Sequence, residues 1–322
     1  AEAARQHPFV RRSLEDLFAY CQARLGEITD DPGAMDRAMR WGYNWQHGPF
    51  ELRDLLETGG VAPRATGKVV RGNPGCTLLD LGDGIGCLEF HSKLNIIGAD
   101  TVTMVQQALD DMHSPFIAFV VSNEAEHFSA GADLAYLLAL VQNEEWEDVA
   151  EAVAQFQAMN MALQRSARPV VVAPFGMTLG GGCEMTMHAA RVVAHAELYA
   201  GLVEAGVGLI PAGGGTKEMA LRCDPRQAME TIAMGKVSGS AAEAKQLGFL
   251  GPGDLVIANR RRLGAAAKQA AQLLAASGQE PPAPASLKAP GPSVESTLKL
   301  GVLLLREAEK ISEHEQKMAY HV

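Results

Sequence analysis

Only five cysteines occur among the 322 residues, Cys21, Cys76, Cys87, Cys183 and Cys223, and no two stand in a Cys-x-x-Cys pair. That spacing suggests neither a disulfide framework nor a zinc site, and the expected setting is a reducing, cytoplasmic one. Basic residues are the minority: 28 Lys and Arg against 38 Asp and Glu, a net charge of −10. The balance argues against nucleic acid or an anionic membrane surface as the main partner. Long apolar runs are missing as well. The longest aliphatic stretches, Phe116 to Val121 and Leu134 to Val141, fall far short of the roughly 20 residues that span a bilayer, and the opening residues carry no apolar signal-type segment, so no export is expected. Aromatics make up 6% of the chain, and two of its three tryptophans, Trp41 and Trp45, crowd into Met39 to Phe50, where a packing anchor is expected.

What is abundant is apolar and small. Hydrophobic residues reach 47%, ample for a packed core, and the length suits one large domain with an appendage or two smaller ones. Residues 1–60 read as a helical segment. Strand patterns at 77–81, 85–90, 116–122, 169–175, 191–195 and 198–202 then alternate with helix patterns at 100–112, 133–142, 147–167, 182–190, 215–223, 225–235, 240–247 and 258–277. Such alternation predicts an α/β core over 61–278. The Asp83-Gly84 pair between the first two strands predicts a hairpin turn. Five prolines between Ser277 and Pro292 predict an extended linker, and Val294 to Tyr320 one long helix or two, so 279–322 forms a linker and C-terminal helical segment. Leu298, Val302, Leu305 and Ala308 give that region an apolar stripe at helical spacing.

The most informative stretch is Gly180-Gly181-Gly182-Cys183-Glu184, preceded by the strand pattern Pro169 to Pro174 and followed by Glu204 just before Leu209-Ile210-Pro211. Glycines entering a helix leave backbone N–H groups bare, a setting that suits an anion. A second glycine-containing loop, Phe128-Ser129-Ala130-Gly131-Ala132-Asp133-Leu134, follows the strand pattern Phe116 to Val121. Taken singly, a triple glycine is usually a turn and a helical Glu a solvated face. Together and in this order, they point to a site.

The joint pattern resembles the crotonase (enoyl-CoA hydratase/isomerase) superfamily over nearly all of the α/β region, which implies a spiral of ββα units. The resemblance implies an oxyanion hole built from the backbone N–H groups of Ala132 and Gly181, with Gly131, Asp133, Gly180 and Ala212 as further substrate-binding positions. Glu184 and Glu204, 20 residues apart, match the two catalytic glutamates of enoyl-CoA hydratases. In that match Glu204 supplies a proton to the α carbon and Glu184 positions and activates water. Two carboxyls facing one small apolar pocket repel as anions, so one is expected to be protonated at neutral pH. Superfamily members that shift a double bond often keep one acid, so the pair favours hydration of a trans-2-enoyl-CoA, with an isomerase or an inert oligomerisation domain as alternatives. No cofactor is implied, coenzyme A being part of the substrate, and no metal. A homotrimer or hexamer is implied.

The segment Asp36 to Phe50 also resembles the C-terminal helical domain of 3-hydroxyacyl-CoA dehydrogenases. Gly82-Asp83-Gly84-Ile85-Gly86-Cys87 comes nearest to a dinucleotide fingerprint but opens no helix, so NAD binding is not expected, and the chain reads as a piece of a larger multifunctional fatty-acid oxidation protein lacking its dehydrogenase half. Two departures from the hydratase pattern stand out. Ala212-Gly213-Gly214-Gly215 replaces the more usual Gly-Ala-Gly-Gly, and no lysine follows Asp133 to meet CoA phosphates; Lys93 is a candidate substitute, though it reads more simply as an exposed lysine. Gly215-Thr216-Lys217 lacks phosphate-loop spacing, and His188, four residues after Glu184, reads as a packed histidine rather than a metal ligand.

Overall fold

A computed structural model describes residues 7–45, 47–58, 67–283, 285–287 and 289–322. The chain forms two compact units, Ala1–Arg64 and Ala65–Val322.

The first unit contains helices α1 (Pro8–Arg24), α2 (Pro32–Tyr43) and α3 (Pro49–Thr58), with α3 packed on both others. Each begins at a proline, whose fixed φ and missing N–H suit a first helical turn. Asp31 caps α2 by accepting the Gly33 N–H at 2.9 Å, and the buried Asp36 accepts the Phe50 N–H at 2.8 Å at the start of α3. The expected aromatic anchor is corrected here. Trp41, Tyr43 and Trp45 are exposed, and of the described aromatic rings in that cluster Phe50 is the buried one. Asp36 faces α3, and Trp41, five residues on, lies about 140° around the helix.

The second unit is the mixed α/β core. Its strands are β1 (Lys68–Gly72), β2 (Cys76–Asp80), β3 (Ile85–Phe90), β4 (Ala118–Ser122), β5 (Val170–Val172), β6 (Gly176–Leu179), β7 (Arg191–His195), β8 (Leu198–Gly201) and β9 (Leu255–Ile257). One sheet has the order β1-β2-β3-β4-β5-β7-β9, and β6 pairs with β8 in a second. Pairings β1 to β2 and β2 to β3 are antiparallel and the rest are parallel. The β2–β3 connection is the expected hairpin, with Asp83 and Gly84 both at positive φ as a primed turn requires.

The helices of this unit are α4 (Ala99–Asp110), α5 (Leu134–Gln142), α6 (Trp146–Arg165), α7 (Gly181–Met187), α8 (Gly215–Arg222), α9 (Pro225–Ala233), α10 (Ala241–Gln246), α11 (Leu263–Ala276), α12 (Pro292–Glu307) and α13 (Glu313–Ala319). Strands β3 to β5 are buried along their whole length, as parallel strands with both faces covered must be. On α11 the buried face is Leu263, Ala267, Ala270 and Ala271, and these small side chains let the helix lie close on β4, β5 and β7. The stripe foreseen in the C-terminal region packs inward at Val302, which is buried, and at the half-buried Leu298 and Leu305, whereas Ala308 is exposed.

Several boundaries differ from the sequence pattern. The apolar run 169–175 is a strand only at Val170–Val172; after Pro174 the chain leaves the large sheet and β6 begins the second one. Edge strands β1 and β9 follow no buried alternation, and the helix pattern 258–277 begins as a short 3-10 turn, Arg260–Arg262. No described helix is long and apolar enough to cross a membrane.

Candidate active site

Strand β6 organises the site. On one side it pairs with β8, Leu179 against Gly201, and the next residue continues the ladder with Gly180 N–H donating to Gly201 O at 2.8 Å. On its other side Ser129 pairs with Thr178, and Leu179 N–H donates to Ser129 O at 3.0 Å. Three chain ends, at Gly131, Gly180 and Glu204, are thereby drawn together by backbone hydrogen bonds. The buried Ser129 hydroxyl fixes the first of them, accepting the Gly131 N–H at 3.1 Å and donating to Asn95 O at 2.8 Å.

Gly131 and Gly180 sit at φ +104 and +51, where a side chain would be strained. Their conformation brings two N–H groups side by side. A Cβ on Gly131 would lie 3.4 Å from Gly181 N, and a Cβ on Gly181 would lie 3.4 Å from Ala132 N. Gly181 opens α7, so its N–H is among those without a partner inside the helix. The Ala132 N–H donates to no backbone carbonyl among the described residues. The pair therefore forms a small electropositive notch.

All eight positions singled out in the sequence, Gly131, Ala132, Asp133, Gly180, Gly181, Glu184, Glu204 and Ala212, line one cavity of about 410 Å³. Asp133 also caps α5, accepting the Tyr136 N–H at 3.0 Å, so its carboxylate is engaged in the fold. Lys93 is exposed at the start of the 3-10 turn Lys93–Asn95, outside that lining. Among the described lining residues no side chain is cationic: the charged ones are Asp133, Asp148, Glu151, Glu184 and Glu204. The backbone notch is what can attract negative charge here.

The two glutamates sit in unequal surroundings. Glu184 is 2% exposed in α7, and its Oε1 accepts the Gly215 N–H at 2.8 Å. Burial pushes its pKa up to about 7 despite the opposing pull of the Gly215 and Gly213 N–H groups. Glu204 begins the 3-10 turn Glu204–Val207, with Oε1 3.2 Å from where a Gly180 Cβ would stand. Its Oε2 is buried and finds no hydrogen-bond partner. Burial, then the negative charge of Glu184, pushes Glu204 up to about 8.

His188 ends α7 as the packed histidine expected. Its Nε2 lies 3.1 Å from Lys217 Nζ, which can only donate, so Nδ1 carries the hydrogen toward Glu184 O at 2.7 Å. Burial holds its pKa below the usual value, and no metal-binding cluster occurs among the described residues.

Three contributors on α6 escaped the sequence reading. The Phe156 ring abuts both glycine segments: its Cζ would stand 2.9 Å from a Cβ on Gly181, and its Cε1 would clash with a Cβ on Gly213. Gln157 Nε2 donates to Ala212 O at 2.6 Å, and Asn160 Nδ2 to Gly213 O at 2.9 Å. The only available signal is that these amides lie three residues apart, on one side of a helix.

The sequence model of the family described as Enoyl-CoA hydratase/isomerase matches residues 81–281. A protein of Bacillus subtilis named "Probable 3-hydroxyacyl-CoA dehydrogenase" is 37% identical over 93% of this chain and 46% of its own length. A "Probable enoyl-CoA hydratase" of the same organism is 31% identical over 42% of this chain and 51% of its own length. The chain thus spans about half the length of each. Among solved structures, an enoyl-CoA hydratase from Bacillus anthracis superposes with a TM-score of 0.55 at 20% identity, covering 77% of this chain and 90% of that one, a likeness of fold.

Proposed function

Because the chain belongs to the enoyl-CoA hydratase/isomerase family, we propose that it adds water across the double bond of a trans-2-enoyl-CoA. The observation that carries this reading is the placement of the buried Glu184 and the half-buried Glu204 in one cavity with the paired N–H groups of Ala132 and Gly181. Addition of water to the β carbon drives negative charge onto the thioester oxygen. Two fixed backbone donors stabilise that charge without reorganising, and loss of one such donor costs about 3 kcal/mol of transition-state stabilisation.

Glu184, whose ionised form is favoured by backbone donors, takes a proton from the attacking water. Glu204, whose buried Oε2 lacks a partner and whose pKa is held above neutrality, gives its proton to the α carbon. One proton enters the carboxyl pair and one leaves it, so the sum of the two steps is addition of H₂O. Exchange with solvent restores the starting protonation.

Apolar side chains also line the cavity, Phe156 and Ile210 among them, which suits an acyl chain. The coenzyme A portion is part of the substrate, and the reading requires no separate cofactor. The 3-hydroxyacyl-CoA product is the oxidisable partner of a 3-hydroxyacyl-CoA dehydrogenase, the activity in the name of the relative half-spanned by this chain. We assign the chain a place beside such a dehydrogenase in fatty-acid oxidation. Assembly into a trimer or hexamer fits the exposed Leu300, Leu303 and Leu304 on α12. Sedimentation at micromolar concentration checks the assembly, a strictly monomeric species being the contrary result.

Incubation with a trans-2-enoyl-CoA tests the reaction. Loss of conjugated absorbance with formation of the 3-hydroxyacyl-CoA supports hydration. Formation of a 3-enoyl-CoA instead establishes isomerisation, and binding without turnover an inert domain.

A further inference from the structure

The loop Ala212 to Gly215 contains three glycines, one of them, Gly214, at φ +111. Such a segment has little intrinsic preference for one conformation. Yet it supplies the N–H groups of Gly213 and Gly215 to Glu184. Something outside the loop must hold it.

Helix α6 does so through two side-chain amides. In a trans peptide the carbonyl and the following N–H point in opposite directions. Gln157 draws the Ala212 carbonyl toward α6 at 2.6 Å, and the same peptide plane then turns the Gly213 N–H away, to the side of Glu184. Asn160 holds the next plane through the Gly213 carbonyl at 2.9 Å. Asn160 is fully buried, and its Oδ1 has no hydrogen-bond partner, so the bond to Gly213 is what its polar end contributes. A Cβ on Gly213 would stand 2.5 Å from Glu184 Oε2, which shows how closely this backbone is pressed against the carboxylate.

We propose that Gln157 and Asn160 are positioning residues that clamp two consecutive peptide planes, Ala212–Gly213 and Gly213–Gly214, so that the first turns its Gly213 N–H toward Glu184 and the second fixes the backbone leading into the Gly215 N–H that Glu184 Oε1 accepts. The kinetic part of this inference rests on the hydratase reading; the geometric part does not. Other groups around Glu184 are Glu204 across the cavity, Cys183 beside it, His188 at the end of its helix, and Lys217, Glu218 and Arg222 on α8. Neutral replacements of the two amides leave all of these charges in place.

The test compares Gln157→Met and Asn160→Leu, which remove the donors without adding charge, with Gln107→Met, which removes an exposed amide outside the cavity lining. Gln157 is itself exposed, so its variant keeps the fold accessible to measurement. In the free protein, ¹³C NMR of the Glu184 carboxyl, assigned with Glu184→Gln, should show its titration moving upward by about half a unit to one unit in both site variants and not in the control. With enoyl-CoA, kcat should fall about 3- to 30-fold, with KM within about two-fold and the acidic limb displaced by the same amount. An unchanged Glu184 titration in both site variants overturns the clamp, whatever happens to the melting temperature. A displaced titration in a wild-type protein that hydrates nothing upholds the clamp and overturns the hydratase reading instead.

Discussion

Glu184 Oε1 accepts the Gly215 N–H at 2.8 Å. Glu204, which faces the same cavity, has no comparable support for its buried Oε2. This asymmetry separates two chemically identical side chains into an acceptor of protons and a donor, because hydrogen bonds to a carboxylate favour its ionised form and burial without them favours the acid.

The division of roles predicts a narrow pH optimum. Activity needs ionised Glu184 and protonated Glu204, so kcat/KM should rise as pH passes about 7 and fall above about 8. The two groups interact, so the limbs belong to the pair rather than to either residue alone. A pH–rate profile of kcat/KM, measured with substrate well below KM, checks this, and a flat profile across about three units contradicts it.

The same shifts predict a stability effect. Both folded carboxyls titrate above their unfolded value of 4.5, so the folded state binds more protons than the unfolded one in between. Their contribution is fully present below about pH 4.5 and is lost as pH rises through about 7 and 8. Glu204→Gln should therefore melt several degrees higher than wild type at about pH 9, with the advantage shrinking toward about pH 5. Equal melting temperatures for the two proteins at about pH 9 would refute the burial argument.

Gly181 is predicted to tolerate no methyl group in function, though it can in folding. An alanine Cβ would stand 3.4 Å from Ala132 N, inside the notch, while its tightest neighbour is the Phe156 ring end at 2.9 Å, which can swing aside. Gly181→Ala should lower kcat/KM by about 10²-fold or more, by analogy with loss of a single oxyanion donor. Thermal unfolding should shift by only a few degrees. Full activity in this variant would remove Gly181 from the site.

Much of the site was legible because the glycines and carboxylates sit in two short segments, at 128–134 and 180–184, with Glu204 a little beyond. What converges them was less visible. Strand β6 is four residues long, follows Pro174 and is only partly buried, so its pattern merged with the preceding apolar run. Strands β1 and β9 lie at the two edges of the large sheet, and exposure there erases the alternation that marks a half-buried strand. Gln157 and Asn160 were hidden for a different reason. Their partners are backbone carbonyls 55 and 53 residues away, and nothing local distinguishes such amides from those on a solvated helix face.

The decisive measurement is the rate of loss of trans-2-enoyl-CoA absorbance for wild type, Glu184→Gln, Glu204→Gln and the double variant, with acyl-CoA affinity determined in parallel. Glutamine keeps the shape of each side chain and removes its titratable proton. Each single change should lower kcat by about 10² to 10⁴ while affinity stays nearly intact, and the double change should cost much less than the product of the two, because both groups act on one water and one proton path. Wild-type hydration persisting in Glu204→Gln contradicts the account.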